Sequence, residues 1–266
     1  MTRPATSFFL PAAVGERYCL FHAPQGECRG ALVYVHPFAE EMNKSRRMAA
    51  LQSRALAAQG IGVLQIDLHG CGDSDGGFAD ARWDGWKGDL GAACAWLQAR
   101  LGRSVGLWGL RLGALLALDY ASSAAHPVER LLLWQPVHSG SAYLTQFLRL
   151  RLASDMQGGG QENGGTKALR AALERGESLE IAGYELSGEL ALAIDAQDAS
   201  AFAPPCPAHW FELVAAQGRP FSPAATRVAS AWPECTTHLV VGPQFWATQE
   251  VAEAPALIAA TCGAIP

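Results

Sequence analysis

Short apolar runs alternate with helix-like stretches along most of this chain, and the alternation restricts the possible folds more than any other feature. The helical stretches include SRRMAALQSRALAAQG, which ends at Gly60, and WDGWKGDLGAACAWLQARLG, which ends at Gly102. The apolar runs have the length of buried strands and read RGALVYVHPF, IGVLQIDLHG, SVGLWGL, VERLLLWQPV, PAHWFELV and TTHLVVG. Buried strands separated by helices predict an α/β fold with a doubly wound, mostly parallel sheet.

The alternation stops between His138 and about Ser200, where no strong strand is predicted. This interval contains the polar stretch QGGGQENGGT, from Gln157 to Thr166. An excursion between two strands of one sheet is typical of a lid. We therefore expect a single domain over residues 1–266 with a helical lid inserted at about residues 139–200.

Composition restricts the class of protein. Half of the residues are hydrophobic and 17% are charged, which favours a folded protein with a sizeable core. The net charge of −5 argues against a nucleic-acid partner, because such a partner needs a basic face. The seven cysteines are odd in number and form no C-x-x-C pair, so we expect a reduced, cytoplasmic protein with buried thiols.

Several other classes of protein lack support in the sequence. The apolar patch at the N-terminus is broken by Pro11 and does not have the pattern of a signal peptide. No apolar run reaches the ~18 residues that a membrane span requires. The metal motif H-E-x-x-H and the nucleotide motifs G-x-x-x-x-G-K-[ST] and G-x-G-x-x-G are missing. We therefore predict no membrane span, no metal and no cofactor.

The segment Gly-Leu-Arg-Leu-Gly, from Gly109 to Gly113, joins a predicted strand to a predicted helix. This arrangement matches the nucleophile elbow G-x-S-x-G, in which the middle residue is an exposed serine. Here the middle residue is Arg111. The two glycines predict that the sharp turn is kept, whereas a guanidinium with a pKa above ~12 cannot act as a nucleophile at neutral pH.

Ligands of open α/β sheets bind at the carboxyl ends of the strands, so the loops that follow the strands supply the candidate site. The loop HPFAEEMNKS follows the first predicted strand, and other candidates flank the elbow or follow later strands. The predicted pocket residues are His36, Phe38, Glu40, Glu41, Arg111, Leu112, Gln135, His138 and Trp246.

The ordered set of motifs resembles the α/β-hydrolase superfamily over nearly the whole chain. The strings HPFAEEMNKSRR, IDLHGCGDSDG and WGLRLGALLAL resemble the exosortase A system-associated hydrolase 2 family. Members of that family accompany exopolysaccharide production and an exosortase protein-sorting system in Gram-negative bacteria. The resemblance implies an α/β-hydrolase fold and a hydrolase activity.

The sequence departs from the superfamily pattern at each position of the catalytic triad. The elbow carries Arg111 in place of serine. Where a G-x-x-D acid is common, the nearest string is GRPF, from Gly218 to Phe221. The segment VVGPQFWATQE, where the histidine is common, contains Phe245 and Trp246 instead. These departures predict the loss of Ser-His-acid chemistry.

Arg111 would start at the N-terminus of a helix, where a cation is disfavoured by ~0.3–1 kcal/mol. Burial without a partner would add several kcal/mol. We therefore expect an anion beside it, and two sources remain open. One is Glu40 or Glu41, and the other is a ligand that carries a carboxylate, phosphate or sulfate.

Three functional hypotheses follow. In the first, the protein is a non-classical or catalytically silent α/β-hydrolase (a pseudoenzyme), which binds a small anionic ligand or a carbohydrate-related substrate. In the second, it is an active hydrolase of an ester or related bond, with a water activated by Glu40, Glu41 or His138. In the third, it is an interaction protein whose lid docks a protein partner.

Overall fold

The computed structural model describes residues 4–124, 127–157 and 164–265, and the part of the QGGGQENGGT stretch from 158 to 163 lies outside the described residues. Ten strands are present in the described parts of the chain: β1 (Thr6–Pro11), β2 (Glu16–His22), β3 (Gly30–Val35), β4 (Ile61–Ile66), β5 (Val105–Leu110), β6 (Leu131–Trp134), β7 (Leu179–Ile181), β8 (Tyr184–Leu186), β9 (Ala208–Val214) and β10 (Cys235–Val241). The α-helices there are α1 (Glu40–Ala58), α2 (Trp83–Leu101), α3 (Leu112–Ser123), α4 (Gly140–Gln157), α5 (Gly165–Glu174), α6 (Gly188–Asp195), α7 (Pro223–Ser230) and α8 (Pro255–Gly263).

Eight strands form one sheet in the order β1-β2-β4-β3-β5-β6-β9-β10. The pairs from β4 to β10 are parallel, whereas β1 with β2 and β2 with β4 are antiparallel. The prediction of an α/β fold with a mostly parallel, doubly wound sheet is therefore confirmed. β3 and β5 are the fourth and fifth of the eight strands and pair with each other, so the loops after them meet at the centre of one edge of the sheet.

Both faces of the sheet are covered, which explains why the central strands are apolar without alternation. In β3, Val33 and Val35 pack with α2 and α3 on one face. Leu32 and Tyr34 pack with α1 and α8 on the other face. All six residues of β3 and all six of β5 are buried. The elbow therefore starts from one of the most rigid parts of the molecule.

The first hairpin, β1 and β2, was not predicted from the sequence. Its apolar patch before Pro11 is only three residues long, and four of the six side chains of β1 are exposed, so the segment shows neither a long apolar run nor strict alternation. Pro11 is tolerated because it lies at the end of an edge strand. The chain turns through Gly15, whose φ is 65°, and Ala12 donates to the carbonyl of Gly15.

The segment between β6 and β9 contains α4, α5, the hairpin β7–β8 and α6, and we call it the insert. The two short strands contradict the expectation that no strong strand occurs in this interval. They are joined by Ala182 and Gly183, which both have positive φ as a two-residue hairpin turn requires. The insert contacts the start of α1 through a hydrogen bond from Asn43 to the Tyr184 hydroxyl. Its function as a lid remains a prediction.

One helix boundary differs from the sequence reading. α1 begins at Glu40 rather than near Ser45, which places both acidic residues of the loop in its first turn. The last helix, α8, begins at Pro255, because proline is favoured in the first turn of a helix. All seven cysteines are free, and Cys19 and Cys71 are buried. None of the helices in the described ranges is long and apolar enough to span a membrane.

Candidate functional site

Arg111 occupies the sharp turn between β5 and α3. Its backbone has φ 56° and ψ −119°, a conformation that residues other than glycine rarely adopt. The Arg111 amide donates to the carbonyl of Trp134 at 3.0 Å, and its carbonyl accepts from the amides of Ala114 at 3.1 Å and Val137 at 3.2 Å. These bonds fix the strained turn, so the predicted elbow geometry is confirmed.

The two glycines of the elbow are required by close packing. A Cβ atom on Gly113 would lie 2.2 Å from the carbonyl oxygen of His36 and 2.5 Å from that of Val35. A Cβ atom on Gly109 would lie 2.5 Å from Cα of Ala114. The first turn of α3 therefore lies directly against the loop that follows β3, and this contact brings Arg111 close to the start of α1.

The predicted partner of Arg111 is found at Glu41. The Arg111 Nε donates to Glu41 Oε1 at 3.3 Å, and the Tyr143 hydroxyl donates to Glu41 Oε2 at 3.2 Å. The first distance is longer than the ~2.7–2.9 Å of a tight charge-assisted bond. Glu40, the other candidate, instead lies 3.9 Å from Lys44 on the same helix.

Aromatic rings hold the guanidinium on two sides. The Cζ atom of Arg111 lies over the Tyr143 ring, 5.6 Å from its centroid, and over the Trp246 ring at 5.4 Å. Both distances allow an attractive cation–π interaction. Among the described residues, Arg111 uses only its Nε atom as a side-chain donor, so the terminal Nη1 and Nη2 atoms are not bonded to protein there.

Arg111 lines a cavity of about 250 Å³ between α1, α4 and the loop after β10. The side chains of Arg111 and Glu41 keep 18% and 16% of their accessible surface, so both are shielded but reachable from solvent. Five of the predicted site residues line this cavity together with six others, and the complete lining is Phe38, Glu40, Glu41, Lys44, Arg111, Tyr143, Gln146, Phe147, Leu150, Trp246 and Ala247.

The environment changes the acidity of the two groups beside Arg111. Burial raises the pKa of Glu41 above its ordinary value, and the nearby positive charge and hydrogen bonds of Arg111 offset this only in part. Burial and the Glu41 charge raise the pKa of Tyr143 well above its ordinary value. Tyr143 is therefore a hydrogen-bond donor at neutral pH, and Glu41 accepts a proton more readily than an exposed glutamate.

Three predicted site residues do not line this cavity and make structural contacts elsewhere, and their part in a ligand site stays a prediction. His36 is buried: its Nδ1 donates to the Pro37 carbonyl at 2.8 Å, and its Nε2 accepts from the Leu68 amide at 3.2 Å. Burial also lowers the pKa of His36, so the ring is neutral and links two loops. Leu112 is buried in the core. Gln135 accepts from the Leu213 amide at 2.8 Å and ties the end of β6 to β9.

His138 was predicted to face the site, but it does not line the cavity. Its ring stacks on Trp210 with 5.2 Å between centroids and an interplanar angle of 19°. Burial lowers its pKa, while Glu212 acts in the opposite direction. Within the described ranges, the buried Nε2 atom of His138 has no hydrogen-bond partner.

Sequence reasoning missed Tyr143 and Glu212. Tyr143 lies on α4 of the insert, whose position relative to the sheet is set by tertiary contacts that no local pattern reveals. Glu212 is a buried acid within β9 and accepts bonds from the amide and hydroxyl of Ser222, at 2.8 and 2.7 Å. The sequence feature that could have identified Glu212 is the presence of an acidic residue inside the apolar run PAHWFELV. Gly218, where the predicted acid stretch begins, is exposed.

We expect Glu41→Ala to lower the free energy of unfolding by about 1–3 kcal/mol, between the values for exposed and buried ion pairs, because both side chains are mostly shielded. Glu40→Ala, which removes a more exposed carboxylate on the same turn, should change it by less than about 0.5 kcal/mol. Urea unfolding of the two variants measures the difference. Equal losses would show that the Arg111–Glu41 contact contributes nothing specific.

Solved structures with similar folds cover nearly the whole chain. Est1E from Butyrivibrio proteoclasticus, with bound ferulic acid, superposes with a TM-score of 0.72 at 14% identity and covers 97% of this chain and 96% of its own. Proline iminopeptidase from Mycobacterium smegmatis gives 0.63 at 15% identity and covers 98% and 97%. Mouse alpha/beta hydrolase domain-containing protein 10 gives 0.59 at 14% identity and covers 98% of both chains. At these identities the likeness establishes the fold alone.

No curated protein matches the sequence. A family model does match, over residues 26–167, which is more than half of the chain. The matched region runs from the segment before β3, through the elbow, into α5 of the insert. The chain therefore belongs to the family Hydrolase_4, described as serine aminopeptidase, S33, and has the α/β-hydrolase fold.

Proposed function

We propose that this protein uses the α/β-hydrolase fold to bind a small anionic ligand through Arg111, and that it does not cleave esters with a Ser-His-acid triad. One observation carries the proposal. Arg111 is held in a strained backbone conformation that costs of order 1–3 kcal/mol, and its side chain lines a cavity at the elbow. A strained residue that reaches a cavity is typical of a functional site.

The residues at the other two triad positions support the loss of triad chemistry. The stretch from Gly218 to Phe221, where the triad acid is common, contains no acid, and the nearby buried Glu212 of β9 is engaged by Ser222. After β10, Phe245 packs against Trp134 with 6.1 Å between ring centroids, and Trp246 lies against Arg111. Members of a triad act as a unit, so substitution at all three positions supports the loss of a route to an acyl-enzyme.

The chemistry of the cavity favours an anion. A guanidinium offers donors in a planar fork that matches carboxylate and phosphate oxygens. The Nε atom of Arg111 is used by Glu41, whereas Nη1 and Nη2 make no hydrogen bond to the described residues. An anion between these two atoms would accept two parallel charge-assisted bonds.

The biological setting is part of the same proposal. The resemblance of HPFAEEMNKSRR, IDLHGCGDSDG and WGLRLGALLAL to the exosortase A system-associated hydrolase 2 family supports a role beside exopolysaccharide production and exosortase sorting. In that setting a carbohydrate-related acid is one source of the anion. Seven free cysteines support a cytoplasmic location.

Two alternatives have observations in their favour. The raised pKa of Glu41 suits a general base that activates a water, which would make the protein a hydrolase of a different mechanism. Glu40 and His138 are weaker candidates for this role, because Glu40 sits beside Lys44 and His138 lies outside the cavity. Exposed Leu150, Met156 and Leu192 on the insert favour the third hypothesis, in which a protein partner docks there.

We expect the purified protein to show no labelling by a fluorophosphonate probe and no hydrolysis of p-nitrophenyl esters above background, because the elbow has no hydroxyl. Arg111→Ser should also give little esterase activity, since the remaining triad residues are not in place. Mass spectrometry of the labelled protein and a spectrophotometric assay test both statements. Stoichiometric labelling of any serine in the natural protein, or a gain of many hundredfold in the variant, would contradict the proposal.

A further inference from the structure

We infer that the ligand at Arg111 is a monocarboxylate with a small apolar body, and that its binding takes up one proton, which is held by Glu41. This inference rests on the proposed function, since it names the class of anion and the way in which the same site accepts it.

The walls of the cavity define the body of the ligand. Phe38, Tyr143 and Phe147 are buried around it, and Leu150 and Trp246 complete the apolar lining. Phe38 and Phe147 also pack edge to face with 5.0 Å between ring centroids, which makes this wall rigid. A cavity of 250 Å³ corresponds to about eight water molecules at ~30 Å³ each, the size of an aryl or short acyl carboxylate.

The same walls disfavour a phosphate or sulfate. A multiply charged anion would lose most of its hydration against aromatic rings, and one guanidinium would replace only a part of it. A monocarboxylate presents one charge to Arg111 and places its hydrocarbon against Phe38 and Phe147. The burial of that hydrocarbon contributes about 25 cal/mol per Å², which a hydrated inorganic anion lacks.

The charges around Arg111 require a proton to accompany the ligand. In the free protein the positive charge of Arg111 is already balanced by Glu41 at 3.3 Å, and that of Lys44 by Glu40 at 3.9 Å. A second carboxylate entering the cavity would bring two negative charges to one guanidinium, with Glu40 close by on α1. One carboxyl group must therefore become neutral, because like charges in a shielded site cannot both remain ionised without a large cost.

Glu41 is the group positioned to take this proton. The groups that face it are Arg111 from the elbow, Tyr143 from α4, and Glu40 from its own helix. Burial already raises the pKa of Glu41, so its protonation costs less free energy than that of an exposed glutamate. A neutral Glu41 keeps its contact with the Tyr143 hydroxyl and releases Arg111 to the ligand. The proton comes from solvent, and no covalent bond is formed or broken.

The test is calorimetric titration of the full-length protein with 3-phenylpropanoate, acetate and inorganic phosphate. We expect 3-phenylpropanoate to bind at least tenfold more tightly than acetate or phosphate. Its affinity should be at least tenfold lower at about pH 8 than at about pH 5.5, because uptake of one proton lowers affinity by up to tenfold per pH unit above the pKa of Glu41. Titrations in two buffers with different ionisation enthalpies should give close to one proton taken up per ligand at the higher pH.

Glu41→Gln isolates the proton-linked group. Glutamine is neutral at every pH, so this variant should bind 3-phenylpropanoate at about pH 8 as tightly as the natural protein does at about pH 5.5, with no proton uptake. Glu185→Gln is the matched control, since it removes the same charge from an exposed position on β8 that does not line the cavity. It should change affinity by less than about threefold and should keep the pH dependence.

The outcomes separate the inference from the proposed function. If none of the three anions binds at either pH, the proposed function is wrong. If all three bind with similar affinity, Arg111 holds an anion as proposed but the assignment of an apolar monocarboxylate is overturned. If 3-phenylpropanoate binds selectively with no pH dependence and no proton uptake, the assigned role of Glu41 is overturned.

Discussion

Arg111→Met should weaken the binding of 3-phenylpropanoate by at least about thirtyfold, because truncation of one partner in a shielded charge pair typically costs ~2–5 kcal/mol and each 1.4 kcal/mol is tenfold. Methionine keeps the unbranched stem that packs between the Tyr143 and Trp246 rings. It removes the charge and every N–H donor. The loss of affinity therefore measures the contribution of the guanidinium group, because the shape of the cavity is kept.

The same variant should remain folded, with a melting temperature within a few degrees of the natural protein. Methionine inherits the strained backbone at φ 56° but carries no charge that must be shielded from water. Burial raises the pKa of Glu41, and the loss of its cationic partner raises this pKa further, so Glu41 accepts a proton more readily in the variant. Neutralisation replaces the lost ion pair, so binding and stability are affected independently.

Calorimetry and thermal unfolding measure these two effects on one sample. Lys44→Met is the matched control, because Lys44 also lines the cavity and carries the same charge but lies 3.9 Å from Glu40. It should weaken binding only a few fold, as expected for a partly exposed charge. If Arg111→Met binds 3-phenylpropanoate as tightly as the natural protein, the ligand does not use the elbow.

The sheet was predictable because its central strands are buried on both faces. A strand such as β5 is apolar at every position, and that run contrasts with the helices on either side. The first hairpin was not predictable in the same way, because β1 is an edge strand with one buried residue. Local hydrophobicity therefore predicts the central strands of a sheet well and its edge strands poorly.

The contact between Arg111 and Glu41 was predictable for a topological reason. Adjacent parallel strands end at the same edge of the sheet, so the loops after β3 and β5 must meet. The cost of a shielded, unpaired cation then required an acid within reach. The choice between Glu40 and Glu41 was not predictable, because it depends on where α1 begins, and helix termini are poorly marked in sequence.

Tyr143 illustrates what a sequence cannot provide. It donates to Glu41 from the first turns of α4, although the two residues are far apart in sequence. Its position depends on how the whole insert packs over the sheet. His36 shows a related limit of local sequence patterns. A histidine in a site loop is equally able to satisfy backbone groups inside the protein, and both ring nitrogens of His36 do so.

Gly113→Ala should lower the free energy of unfolding by more than about 3 kcal/mol, one of the largest losses available to a single methyl group. The new Cβ atom would lie 2.2 Å from the His36 carbonyl oxygen and 2.5 Å from the Val35 carbonyl oxygen. Both oxygens belong to the backbone at the end of β3, which is buried and paired on both sides. Neither side of this contact has a flexible group that can move away.

Gly88→Ala provides the matched control, because a Cβ atom on Gly88 of α2 meets nothing within 4 Å. That substitution should raise the stability by about 0.5–1 kcal/mol, since alanine favours a helix over glycine. Urea unfolding compares the two variants. Any Gly113→Ala protein that stays folded must displace α3 from the loop after β3, which moves Arg111 away from Glu41 and should weaken binding of 3-phenylpropanoate. If Gly113→Ala is as stable as Gly88→Ala, the close approach between the elbow helix and β3 does not exist, and the placement of Arg111 beside α1 loses its main structural support.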